Sequence, residues 1–252
     1  MTLVRQFSSA VAPLVDFVFP PRCPLCGEGL AAQTGLCASC WSELAIPGEP
    51  ACASCSRPFG ENSVGQGAIC APCLASPPRH DGIAAGTLYN DASRRLVLAF
   101  KHGRRIALAP MLARLIAARL PEMEGEWLIV PVPLHRLRLW QRGFNQAALL
   151  GRELARATGG RLVVDVLHRR KRTPKLGGLG RKARARVLQG AIGVAPARRS
   201  QIRGAKVLLV DDVLTSGATS EACVSALKRA GAERVVIACF ARVLEEALDV
   251  VS

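Results

Sequence analysis

The stretch VLLVDDVLTSGAT, residues 207–219, constrains the fold of this 252-residue chain more than any other. Four apolar residues, Val207 to Val210, run into Asp211 and Asp212. Val213 and Leu214 follow, then Thr215, Ser216, Gly217, Ala218 and Thr219. An unbroken apolar run of this length predicts a strand buried on both faces, which requires a parallel sheet covered by helices. The next segment, ATSEACVSALKRAG (218–231), spaces its apolar residues at i, i+3 and i+4 and ends on Gly231, so a helix is expected there. RVVIACFAR (234–242) reads as the following strand. Strand, helix, strand is the pattern of an α/β fold. The composition agrees: half the residues are apolar but only 4% are aromatic, so the core must be built from Ala, Leu and Val.

The same alternation extends upstream and defines a domain over 81–252. IAAGTLY (83–89), WLIVPVP (127–133), RLVVDVL (161–167) and KVLLVDD (206–212) are expected strands. SRRLVLAFKH (93–102), IALAPMLARLIAARL (106–120) and FNQAALLGRELARATG (144–159) are expected helices. Residues 1–22 form an apolar leader, expected to be a short amphipathic helix. Asp16 interrupts its apolar run and no small-residue cleavage site follows, so it does not read as a secretory signal. With no uncharged apolar run of 18 residues, no membrane span is expected, and the location is expected to be cytoplasmic.

Eight of the ten cysteines fall within residues 23–80, a segment rich in Gly, Pro and Ser with little periodicity. Such a segment buries little apolar surface and needs a staple. The cysteines come as four C-x-x-C pairs: Cys23 and Cys26, Cys37 and Cys40, Cys52 and Cys55, Cys70 and Cys73. This spacing lets two thiolates converge on one Zn²⁺ from a tight knuckle. A disulfide framework is disfavoured in a reducing compartment, and a redox C-x-x-C needs a βαβ context that is absent here. Iron–sulfur clusters usually have other spacings. All-thiolate ligation with no open position marks structural zinc, one or two ions per chain. Consecutive pairing would give one site from Cys23, Cys26, Cys37 and Cys40 and another from Cys52, Cys55, Cys70 and Cys73; the spacing also allows interleaved pairing. Cys223 and Cys239, in the predicted helix and strand, read as small core residues.

The acid pair has a bland reading, the capping of the next helix. Its position argues for more, since α/β folds bind ligands at the carboxyl ends of central strands. The TSGAT turn offers successive backbone N–H groups at a helix start, a cradle for phosphate. Two carboxylates just before it suit the vicinal hydroxyls of a sugar 5-phosphate. No Lys follows the glycine, so this is not a Walker A loop, and no G-x-G-x-x-G is present.

The whole 207–219 pattern resembles the phosphoribosyl pyrophosphate (PRPP) motif of type I phosphoribosyltransferases. Together with the N-terminal Cys knuckles, FKHGRR (100–105) and VPVPLHRLRLWQRGFNQA (130–147), the chain resembles the ComF family of competence-associated proteins from about residue 14 to 242. The resemblance implies a parallel-sheet type I phosphoribosyltransferase domain preceded by a small double zinc ribbon. It implies PRPP bound with Mg²⁺ by Asp211, Asp212, Thr215, Ser216, Gly217, Ala218 and Thr219. It places pyrophosphate near Val132, Pro133 and Leu134, with Arg136, Arg138 and Arg142 close behind, and makes Lys101 a candidate phosphate contact. RRKRTPKLGGLGRKARAR (169–186) would be the hood loop. The residues around Leu176 and Val187 depart there from the family's Gln and Asn.

The chain carries a net charge of +15, and residues 166–210 hold thirteen Lys or Arg and no acid. That excess predicts attraction to polyanions, although a solvated basic face is the simpler account of it. Two functional classes follow. One is a phosphoribosyltransferase acting on an acceptor that no segment announces. The other is a binding or scaffold protein of the DNA-uptake machinery that engages single-stranded DNA or other uptake proteins and uses the PRPP-like site for sensing. The basic stretch has no aromatic stacking platforms, which favours the first.

Overall fold

The structure, a computed structural model, describes residues 19–60, 65, 67–101, 105–134, 140, 143–169 and 190–244. Most of the expected leader helix and nearly all of the expected hood loop lie outside these residues, as do Arg136, Arg138 and Arg142.

Two short helices, α1 (Ala38–Ser42) and α2 (Ala71–Ala75), belong to the cysteine region. Strand β1 (Ile83–Leu88) leads to helix α3 (Asp91–Lys101). A 3₁₀ turn, Ile106–Leu108, then opens α4 (Ala109–Ala117), where Pro110 occupies the first turn without losing a needed hydrogen bond. Strand β2 (Trp127–Pro131) precedes α5 (Gln146–Thr158). Asn145 caps α5 through its side chain, and Gly159 ends it in a left-handed conformation. The single strand expected over 161–167 is broken into β3 (Arg161–Leu162) and β4 (Leu167–Arg169). Asp165 sits at the break, where Arg198 grips its carboxylate through two nitrogens. Strand β5 (Ile192–Val194), helix α6 (Arg199–Ile202), strand β6 (Lys206–Leu214), helix α7 (Ala218–Arg229) and strand β7 (Arg234–Arg242) complete the chain.

Five strands form a parallel sheet in the order β1-β7-β6-β2-β3, and β4 and β5 form a separate antiparallel pair. The period of two sorts the side chains into two layers. Leu128, Val130, Val207, Leu209, Val235 and Ile237 face α7. Trp127, Ile129, Leu208, Val210, Val236 and Phe240 face α3, α4 and α5. Each central strand is buried on both sides, as its apolar run predicts. Truncating a core residue such as Leu208 to Ala would cost about 2–5 kcal/mol.

The strand order sets where a ligand can go. After β2 the chain moves through α5 to β3 on one side; after β6 it moves through α7 to β7 on the other. Neighbours β2 and β6 therefore flank the topological switch point, where the connections diverge and leave a crevice at the strands' carboxyl ends.

The cysteine region docks on both layers. Leu25, Leu36 and Leu44 pack with the α3 and α4 layer, while Cys52, Cys55 and Cys70 join the α7 layer. Arg242, at the end of β7, hydrogen-bonds the Cys55 carbonyl and, at 3.3 Å, its Sγ.

Candidate functional site

Strand β6 continues two residues beyond the expected end at Asp212. It can do so because β7 keeps pairing with it: Asp211 opposes Cys239, and Leu214 opposes Arg242. On its other side the β2 pairing stops at Pro131 opposite Val210, followed by one bond from the Val132 N–H to the Val210 carbonyl. Asp211 and Asp212 thus stand where β6 has just lost a neighbour, at the mouth of the switch-point crevice.

The alternation continues through the pair. Asp211 follows Val207 and Leu209 toward the α7 layer, with buried Cys223 and Cys239 close by. Asp212 follows Leu208 and Val210 toward α3. There Lys101, the last residue of α3, meets its Oδ1 at 2.9 Å, both side chains being largely shielded from solvent. Burial, then the Asp212 charge, pushes the Asp211 carboxyl up to about 7, against the pull of Lys101 and Arg169. The pair therefore holds less than two negative charges at neutral pH when no ligand is present. Burial also pushes both cysteine thiols up, Cys239 to about 12, so neither is a nucleophile at neutral pH.

Thr215, Ser216 and Gly217 form the turn into α7. Gly217 is its N-cap, at φ 72° and ψ −7°, a left-handed conformation that an L side chain adopts only with strain. Gly217 has no side chain with which to cap the helix, and the first-turn N–H groups, Ala218 and Thr219 among them, have no acceptor within the helix itself. An anion seated there would accept those hydrogen bonds and meet the positive end of the helix dipole.

The loop after β2 lies across the crevice. Its Val132 carbonyl accepts from Asn145 Nδ2 at 3.2 Å, and its Pro133 carbonyl accepts from Arg169 Nε at 3.2 Å. The Val132 N–H is already given to Val210, and Pro133 has none. Of the three expected pyrophosphate contacts, only Leu134 can offer a backbone donor. Asn145, from the RGFNQ element, thus has two roles: it caps α5 and fixes this loop. Arg169, the last residue of β4, was legible in sequence only as one of many basic residues. The structure gives it a position, anchored to Pro133 with its charge felt at Asp211.

The eight paired cysteines assemble consecutively. Cys23, Cys26, Cys37 and Cys40 form one cluster and Cys52, Cys55, Cys70 and Cys73 the other, with the sulfurs of each cluster all within 4.8 Å of one another. Zn–S bonds of ~2.3 Å in a tetrahedron place sulfurs roughly 3.8 Å apart. Cys55 and Cys70 stand at 3.7 Å and Cys26 and Cys37 at 3.4 Å. Both clusters are built alike. Gly27 donates to the Cys23 carbonyl, and Ser56 donates to the Cys52 carbonyl. Gly27 and Ser56 each take positive φ, and Cys37 and Cys70 each stand at a helix N-cap. Burial pushes the Cys23 and Cys52 thiols up, but backbone N–H groups outweigh it and hold both at about 6. In the same clusters burial pushes the Cys40 and Cys73 thiols up, so each cluster presents one readily ionised thiol beside others that ionise only with a cation present. The donor sets fit two structural zinc ions.

Comparison with known proteins agrees with this architecture. Residues 14–77 match the double zinc ribbon domain and residues 144–251 match the phosphoribosyl transferase domain. Competence protein F of Haemophilus influenzae is 30% identical over 228 residues, which cover 88% of this chain and 96% of that protein. The chain belongs to the ComF family. DNA utilization protein YhgH of Salmonella typhi, at 31% identity, and of Escherichia coli K12, at 29%, align over 89% of this ComF-family chain and 98% of their own length. Its fold is a phosphoribosyltransferase-type parallel sheet preceded by a double zinc ribbon. The sheet extends upstream of the matched phosphoribosyl transferase segment, since β1 and β2 complete it. Among the described residues no helix is long and apolar enough to cross a membrane.

Proposed function

We propose that the switch-point crevice binds PRPP with Mg²⁺ and that the protein transfers its phosphoribosyl group to an acceptor, in the service of DNA uptake or use. The observation that carries this reading is the abutment of the acid pair and the glycine-capped start of α7, both at the open edge of β6. The 5-phosphate would take the first-turn N–H groups around Thr215 to Thr219. The ribose 2- and 3-hydroxyls would donate to Asp211 and Asp212, competing with Lys101 for the second of these. Pyrophosphate would lie toward the loop 132–134, where Leu134 offers a donor. Mg²⁺, when bound, supplies neutralisation of the diphosphate charge; Asp211 and Asp212 are the carboxylates at hand for it or for its waters.

In the transfer the acceptor's lone pair forms a bond to the anomeric carbon as the bond to the pyrophosphate oxygen breaks. The electron pair leaves with pyrophosphate, and the acceptor's proton passes to solvent or to the leaving group. Positive charge grows on the sugar ring at the transition state, so the ionised acid pair would stabilise it more than the ground state. Lys101 would release Asp212 and stay near the phosphates. The names of the ComF and YhgH relatives support the link to competence and DNA use. Calorimetric titration with PRPP and Mg²⁺ tests the reading. Heat is expected from the native chain and none from the Asp211→Asn/Asp212→Asn double variant; equal heat from both would sink it.

A further inference from the structure

Strand β6 carries the acid pair and leads into the phosphate loop, yet among the described residues it pairs beyond Val210 with β7 alone. Asp211 stands against Cys239, Val213 against Ala241 and Leu214 against Arg242. The Val243 N–H then donates to the Leu214 carbonyl at 2.9 Å. Thr215, the first residue of the loop, follows directly. The placing of the loop therefore depends on what holds the carboxyl end of β7.

Arg242 holds it. Its backbone sits in the ladder between Leu214 of β6 and Leu88 of β1, and its carbonyl accepts from the Tyr89 N–H. Its side chain leaves the sheet for the second ribbon. One guanidinium nitrogen donates to the Cys55 carbonyl, and another lies 3.3 Å from the Cys55 Sγ. Arg242 is also the one charged residue buried among the described residues. A guanidinium withdrawn from water needs an anionic partner. The loaded cluster is such a partner, since four thiolates around one Zn²⁺ leave a net negative charge. Burial, then the charge of Arg242, pushes the nearby His80 imidazole down to about 4, so that ring stands neutral beside the pair.

The ribbon and the loop face each other across open space. Cys55, Cys70 and Cys73 form one wall of a cavity of about 300 Å³, and Thr215, Ser216 and Gly217 form another. Arg242 lines the same cavity and bridges its two sides. The first cluster is attached differently. Leu25 and Leu36 pack it on the α3 and α4 layer, and Arg105 donates to the Pro24 carbonyl.

We propose that Arg242 is a positioning residue that couples the second zinc cluster to the phosphate loop. Metal in this cluster raises the affinity for PRPP, and PRPP in turn tightens the hold on this metal. The inference rests on the PRPP reading of the loop. The loaded cluster fixes the guanidinium, the guanidinium fixes the end of β7, and β7 fixes the last residues of β6. Coupling of this kind is reciprocal. The first zinc lies outside it.

The test uses the full-length protein with both clusters loaded. Calorimetry gives the PRPP affinity with Mg²⁺. A chelating dye follows zinc leaving the two clusters with and without PRPP, and Cys26→Ser, which weakens the first cluster alone, identifies its phase. PRPP is expected to slow the second-cluster phase by about fivefold or more and to leave the first unchanged. In Arg242→Met the PRPP affinity should fall by about fivefold or more and the protection of the second zinc should vanish. Arg242→Lys keeps the charge but loses the two-pronged grip, so it should recover part of both. Leu154→Ala, in the core under α5, lowers the unfolding temperature without touching the clamp; it should keep the protection and hold PRPP affinity within about twofold. PRPP that binds the parent but protects neither zinc, or both alike, overturns the coupling without need of a variant. So does an Arg242→Met protein that keeps its affinity and protection, or a loss that Leu154→Ala shares. Absence of PRPP binding to the parent overturns the loop reading itself, and the coupling with it.

Discussion

Replacing Asp211 by Asn should stabilise the protein at neutral and alkaline pH while weakening the PRPP binding proposed for it. In the fold the Asp211 carboxyl titrates at about 7, against 3.8 for an unperturbed aspartate. A group with a raised pKa contributes its full stability only below the unfolded value and loses it as pH climbs through the folded one. The loss for Asp211 therefore accumulates between about pH 4 and 7 and is complete above. About three pH units at ~1.4 kcal/mol each set an upper bound near 4 kcal/mol. Asp211 keeps some contact with solvent, and Lys101 can shift toward it, so we expect about 2 kcal/mol. Asn keeps the Oδ1 that accepts from the Asp212 N–H at 2.9 Å and carries no charge at any pH. The gap between variant and parent should be near zero at pH 4 and open to about 4–8 °C in unfolding temperature at pH 8. Scanning fluorimetry of both zinc-loaded proteins across this range measures it. A gap that does not change with pH, or a variant less stable at pH 8, would refute the reasoning.

Lys101→Met removes the counter-charge of Asp212 and should cost about 1–2 kcal/mol at pH 8, less at pH 5 where Asp211 takes up a proton; urea titrations at both pH values measure it. In Gly217→Ala the new Cβ finds room, the nearest heavy atom being Leu214 Cδ1 at 4.0 Å, so only the backbone conformation resists it. A cost of about 1–2 kcal/mol is expected, with a larger loss in PRPP affinity as the α7 start shifts. Arg242→Met frees the Cys55 carbonyl and Sγ. The second zinc should then pass to a chelator about tenfold faster or more while the first keeps its rate, as a two-phase dye assay would show; equal acceleration of both phases would count against the clamp. Single-stranded DNA, if bound by the basic 166–210 region, should show log affinity falling linearly with log salt, and charge reversal over residues 169–172 should flatten that slope.

The parallel sheet was legible because Val207 to Val210 lack alternation, and the zinc clusters because four C-x-x-C pairs admit few other chemistries. Their consecutive pairing was not legible, because spacing alone permits either arrangement and the ribbon backbone decides. The strand over 161–167 was misread as one element. Its apolar residues fit a strand throughout; the break is a turn over residues 164–166, beyond which β4 leaves the main sheet to pair with β5, a partner that no local pattern records. The acid pair was placed at a strand end, whereas β6 continues to Leu214 on pairing with β7 alone. That asymmetry depends on where β2 stops, which no local pattern records. Arg242 and His80 were missed for a related reason. A strand-terminal arginine after an apolar run signals a buried partner, but only the docked ribbon identifies it as Cys55.

Crystals of the protein soaked with PRPP and Mg²⁺ test the central claim most directly. The account predicts the 5-phosphate on the backbone N–H groups around Thr215 to Thr219, the ribose hydroxyls on Asp211 and Asp212, and Lys101 drawn off Asp212. A phosphate loop left empty at saturating PRPP, or a sugar bound away from β6 with the Lys101–Asp212 pair still at 2.9 Å, would contradict it.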